Sequence, residues 1–128
     1  MPKRFEYSVT ERAGTPARAE PDWAPEDLLL AGLARCTLAS LEFHAKRAGI
    51  SVSGSAAAAG AVTKREEDGR YAFVELEVGL DLELDPAPSS EQLQELLDLA
   101  ERDCFVGASL TVKPAYEWRV NGELVERS

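Results

Sequence analysis

The side chains with the widest chemical reach in this chain are two cysteines, Cys36 and Cys104, and a single histidine, His44. A thiolate attacks oxygen and sulfur electrophiles, but an unactivated thiol with a pKa of about 8.5 is mostly protonated at neutral pH. Cys36 lies among leucines, which suits either a small buried apolar side chain or a catalytic thiol. Cys104 falls where a helix should end and the chain turn back, a position that packing explains less readily. The two are 68 positions apart, with none of the short spacings of dithiol motifs or zinc sites. His44 follows Cys36 by eight positions. On a straight helix that is about two turns and ~12 Å along the axis, so the two cannot pair and His44 is expected as a partly exposed helix residue. A metal site from Cys36, Cys104 and His44 lacks a recognised ligand spacing, and no glycine-rich phosphate motif is present, so no metal or cofactor is expected.

The elements that must position these residues can be read from periodicity. Phe5, Tyr7 and Val9 alternate with polar residues as in a strand, Ala13-Gly14-Thr15-Pro16 reads as a turn, and a short second strand is expected near Ala17 to Glu20. Pro25-Glu26-Asp27 opens a long helix: proline costs nothing at the first helical position, and acidic residues suit the positive end of the helix dipole. Gly49 is its expected stop. Leu29, Leu33, Cys36, Ser40 and Phe43 share one face and Leu30, Leu38, Leu41 and Ala45 occupy others, so this helix should be buried on several sides. Ile50 to Thr63 reads as a strand, Asp68-Gly69 as a hairpin turn, and Tyr71 to Leu84 as a long half-buried strand with Ala72, Val74, Leu76, Val78, Leu80, Leu82 and Leu84 inward. Ser89 with Gln92 begins a second helix whose stripe is Leu93, Leu96, Leu97 and Ala100. Leu110 to Val120 should be the last strand, followed by an Asn121-Gly122 turn. The fold class expected is α+β, with antiparallel sheets packed on two long helices, and residues 1–128 forming a single domain.

Composition narrows the partners. A net charge of −9 argues against a phosphate backbone as ligand, whose binding draws on Lys and Arg. The longest apolar run, Leu28 to Ala34, is far shorter than the ~20 residues of a membrane helix, and no apolar run follows the basic residues near the N-terminus, so a cytoplasmic protein is expected. A reducing compartment makes a structural disulfide unexpected. One asparagine, no methionine beyond Met1 and many charges are a pattern that thermophile proteins tend to show.

The segment Pro25-Glu26-Asp27-Leu28-Leu29-Leu30-Ala31-Gly32-Leu33-Ala34-Arg35-Cys36-Thr37 resembles the first cysteine helix of the OsmC/Ohr family, the osmotically inducible protein C and organic hydroperoxide resistance proteins. Ala100-Glu101-Arg102-Asp103-Cys104 resembles the segment of the family's second cysteine, although Phe105 follows where proline is usual and Ala24 stands where asparagine is common. The resemblance covers most of the chain. It implies a thiol peroxidase acting on organic hydroperoxides, with Cys36 as the peroxidatic thiol, Cys104 as the resolving thiol and Glu26 as the active-site glutamate. It also implies an arginine from the N-terminal part, for which Arg18 is the first candidate and Arg12 the second. An external thiol or dithiol would restore the reduced state.

Glu26 precedes Cys36 by ten positions. That is ~15 Å on a straight helix, so one carboxylate cannot reach its own Cys36. Either the helix breaks, or Glu26 and the arginine serve the Cys36 of a second chain; the family's intertwined homodimers favour composite sites. The alternatives are a protein of the same fold that binds a small molecule with inert cysteines, an enzyme using Cys36 for other thiol or acyl chemistry, and a purely structural module.

Overall fold

A computed structural model describes residues 2–15 and 18–127 of the chain. The elements run β1 (Phe5–Arg12), α1 (Pro25–Arg47), β2 (Ser51–Lys64), β3 (Tyr71–Asp85), α2 (Ser90–Arg102), α3 (Phe105–Ala108), β4 (Ala115–Val120) and β5 (Glu123–Leu124). Among the described residues the strands form one mixed sheet in the order β1-β2-β3-β4-β5. The neighbours are antiparallel except β3 and β4, which are parallel. The α+β expectation holds, with one mixed sheet in place of antiparallel sheets. A parallel pair cannot be joined by a hairpin; α2 and α3 form the connection here.

Helix α1 is continuous over 23 residues. The Ala24 backbone N–H donates to Asp27 Oδ2 at 2.8 Å, so Asp27 supplies the start signal that alanine cannot. At the other end Gly49 has φ +74°, and Ile50 N–H reaches back to Ala45 O at 2.8 Å and Gly49 N–H to Lys46 O at 3.1 Å, a paired C-terminal closure that needs the left-handed glycine. Leu30, Leu33, Leu38 and Leu41 are fully buried. Each contributes about 1.5–3 kcal/mol by burial. By length and composition α1 could cross a bilayer, but half of that stretch is buried inside the fold.

Three expectations are corrected. Residues 18–20 form no strand, and Pro16 and Ala17 lie outside the described residues. After Arg12 the chain is led away by Arg35, whose Nη1 donates to the carbonyls of Arg12 (2.5 Å) and Thr15, and β1 pairs with β2 instead. The long β3 carries a bulge: Ala61 faces Glu75 while Val62 faces Phe73, leaving Val74 as the extra residue. Phe73 thereby turns over Gly60 and meets Tyr7 edge-on at 6.2 Å. The last strand starts at Ala115, not Leu110. Pro114 lacks a ladder donor, and Lys113 Nζ donates to Ala108 O (3.1 Å) and Leu110 O (2.7 Å), holding an irregular loop after α3.

Gly54 sits at φ +121°, and a Cβ there would lie 2.2 Å from the Asp81 carbonyl oxygen, whereas one on Gly79 would meet nothing within 4 Å. Gly54→Ala is therefore expected to cost at least ~1–3 kcal/mol in chemical denaturation. Gly79→Ala should be neutral or slightly stabilising. Equal effects would contradict this description of the β2–β3 ladder.

Candidate active site around two thiols

Cys36 lies at the border between the buried and exposed faces of α1. Its sulfur lies close to Cys104 and to the backbone amides of Val106 and Phe105, at the start of α3. Burial pushes the Cys36 thiol above its ordinary range; the Val106 amide pulls it down, the neighbouring Cys104 raises it again, and the Phe105 amide lowers it slightly. Cys104 is the residue on which α3 starts and is fully buried. Both cysteines are free thiols.

Thr37 Oγ1 donates to Leu33 O at 2.9 Å, which leaves its lone pairs to accept from the Cys104 thiol 3.4 Å away. The Tyr116 hydroxyl meets the same pair, and its pKa is raised by burial first and by Cys104 second. Gly107 keeps this corner open: a Cβ there would come to 3.0 Å from the Tyr116 oxygen and 3.5 Å from the Cys104 sulfur.

The end of α2 is fastened to α1 by a row of polar side chains. Ser40 Oγ donates to Ala100 O at 2.9 Å, and His44 Nε2 lies 2.7 Å from Asp103 Oδ2. Asp103 is lowered to about 2, mainly by the Arg102 guanidinium and then by His44, so it is ionised at neutral pH. An ionised carboxylate only accepts, so His44 Nε2 carries the proton. Cys36, Ala39, Ser40, Phe43, His44, Asp103 and Phe105 line a largely apolar cleft of about 500 Å³. Such a cleft admits an organic molecule beside the Cys36 sulfur.

The sequence expectation thus brings Cys36 and Cys104 together. Glu26 and Arg18 are not brought to them within one chain, since α1 runs unbroken from Glu26 past Cys36. Arg18 and Arg12 line a separate cleft with Glu11, Glu20 and Trp23. Among the described residues neither Arg18 nor Glu26 makes an ion pair. His44, expected as a partly exposed helix residue that neither pairs with Cys36 nor joins a metal site, is instead bonded to Asp103. The signal for it was the row Thr37, Ser40, His44, spaced to share one face of an otherwise apolar helix, together with an aspartate just before Cys104. No group of three or more His, Cys, Asp or Glu residues is arranged to hold a metal among the described residues.

Residues 18–119 match the sequence profile of the family described as OsmC-like protein. Among solved structures, the chain resembles an OsmC-like hydroperoxide resistance protein from a Jannaschia species, with 16% identity, TM-score 0.64, and 95% of this chain and 97% of that one covered. It also resembles an OsmC-like protein from Mycoplasma pneumoniae (18%, TM-score 0.64, 92% and 96% covered). An OsmC-like protein of Vibrio cholerae matches at 20% identity and TM-score 0.63 over 73% of this chain, which spans only 62% of that one. These likenesses concern the fold. No curated protein matches significantly.

With native protein, iodoacetamide is expected to alkylate half-buried Cys36 and to spare buried Cys104 until the chain unfolds, as read by peptide mass. Equal labelling would refute the geometry. In an isolated chain the Cys36 rate should still climb past pH 9.0, since burial raises its pKa. A profile levelling off well below that would report a cation supplied from outside the chain.

Proposed function

The chain belongs to the OsmC family, and from that membership and the thiol geometry we propose that it is a cysteine-based peroxidase for organic hydroperoxides. The observation that carries this reading is the closeness of the Cys36 and Cys104 sulfurs at the edge of an apolar cleft of about 500 Å³. The Cys36 thiolate attacks the terminal peroxide oxygen; the O–O bond breaks, the alkoxide takes a proton and leaves as the alcohol, and Cys36 becomes a sulfenic acid. Cys104 then attacks the Cys36 sulfur, an S–S bond forms, and the S–O bond breaks with release of water. An external thiol or dithiol reduces the disulfide. The apolar lining favours organic hydroperoxides over hydrogen peroxide.

Burial opposes thiolate formation, and a guanidinium is the natural remedy because it stays charged. In this reading Arg18, oriented by Glu26, comes from a second copy of the chain, so each site is composite and the single domain works as a homodimer in the reducing cytoplasm. Two observations support it. The unbroken α1 keeps Glu26 about 15 Å along the axis from its own Cys36. Phe43 (57% exposed) and Phe105 (76%) line the cleft with Cys36, and Leu28 (50%) is exposed nearer the start of α1, apolar surface suited to a second copy.

One equivalent of cumene hydroperoxide is expected to remove both free thiols together, with intact mass showing a Cys36–Cys104 disulfide. Two thiols left free would overturn the reading. For the composite site, Cys36→Ser protein mixed and refolded with Glu26→Gln protein should regain activity that neither has alone, because the mixed dimer contains one whole site. Absence of recovery despite verified mixed dimers, or a fully active monomer in sedimentation, would sink the dimer site.

A further inference from the structure

The row Thr37, Ser40 and His44 on α1 holds the end of α2 at three places: Cys104, the Ala100 carbonyl and Asp103. The last of these is distinctive. Asp103 immediately precedes Cys104, and its carboxylate is bound from two sides, by His44 Nε2 at 2.7 Å and by Arg102 Nε at 2.9 Å. The His44 side chain is only 12% exposed, so the bond is shielded from water on the helix side. Arg102 leaves Asp103 exposed on the other side, where a bond within the same turn does nothing to fix the turn against α1. The His44 bond is the one that crosses from α2 to α1.

We propose that His44, through its hydrogen bond to Asp103, is a positioning residue for the second chemical step: it latches the Asp103–Cys104 turn onto α1 so that Cys104 faces Cys36. This rests on the peroxidase reading and adds to it a residue that acts on Cys104, not on the peroxide. The step is the condensation of the Cys36 sulfenic acid with the Cys104 thiol, in which the S–S bond forms, the S–O bond breaks, and hydroxide leaves as water with the Cys104 proton. Its rate depends on how often the Cys104 sulfur lies in line with the S–O bond, and a misplacement of about 1 Å costs on the order of 10²-fold in such reactions. Attack on the hydroperoxide uses the Cys36 thiolate and not Cys104, so it does not need the latch. His44 is about two helical turns from Cys36, too far to pair with it.

Rapid mixing with cumene hydroperoxide separates the two steps: Cys36 oxidation depends on peroxide concentration, and disulfide formation does not. His44→Ala is expected to slow the second step by roughly 10- to 100-fold, well beyond any change it makes to the first step as part of the cleft lining. Sulfenic acid captured by dimedone should rise accordingly. His44→Gln, whose amide can still donate to Asp103, should recover most of the second step. Asp103→Ala removes the same bond from the other side and should slow the same step without adding to the His44→Ala effect in the double variant; it also serves if His44→Ala fails to fold. An unchanged second step, equal slowing of both steps, or a glutamine variant no better than alanine would overturn the latch while leaving the peroxidase reading standing. Wild-type thiols inert to the hydroperoxide would remove both.

Discussion

A thiol that must ionise sits where its surroundings oppose ionisation, and much of the local structure answers that conflict. Desolvation of Cys36 between α1 and α3 raises its pKa, and the nearest counterweights are neutral dipoles, the amides of Val106 and Phe105. Those amides point at the sulfur because α3 begins at Cys104, so the residue proposed as resolving thiol also sets the backbone that receives the first thiol. A short helix start offers partial charges, weaker than a full cation. The local chain therefore prepares the thiolate without completing it, which is the gap the proposed arginine from a second copy would close.

The same region solves a second problem, that of polar atoms on a buried helix face. Thr37 and Ser40 are both buried on α1, and each has a partner: Leu33 O for one and Ala100 O for the other. The Thr37 bond closes within α1; only the Ser40 bond crosses to α2, and since a buried hydroxyl without a partner would cost about 1–3 kcal/mol, it favours the present seating of α2. Leucines alone would pack α2 against α1 at several offsets. The Ser40 hydroxyl favours the offset that sets Cys104 beside Cys36.

Much of this was legible in the sequence, for identifiable reasons. The ends of α1 follow from Pro25, Asp27 and Gly49, which act within a turn of their own position. The start of α2 follows from Ser89, whose side chain accepts from Gln92 N–H at 3.2 Å. Strict alternation gave β3 its length. What alternation could not give was the bulge at Val74, because Phe73 and Val74 are both apolar and only the small Gly60 opposite decides which turns inward. The strand expected near Glu20 is absent, and the chain before it is held by long-range bonds from Arg35 to the carbonyls of Arg12 and Thr15, which no local pattern announces. Of the site, the cysteine pair came from resemblance, not spacing. The His44–Asp103 pair joins residues 59 positions apart, and its one sequence signal, a polar row on a helix face, does not name the partner.

The parallel pairing of β3 with β4 has a mechanical consequence. Between Asp85 and Ala115 the chain must return along the length of the sheet, and α2 and α3 are that return path. This strap is tied to β4 by Trp118 Nε1, which donates to Glu101 Oε2 at 2.7 Å, and packs Leu96, Leu97 and Ala100 into the core that α1 shares, while β2 and β3 are joined by their own ladder. One sulfur is therefore mounted on the frame and the other on the strap. A change in the distance between the two sulfurs is thus a displacement of the connection against α1, which breaks no hydrogen bond of the β2–β3 ladder.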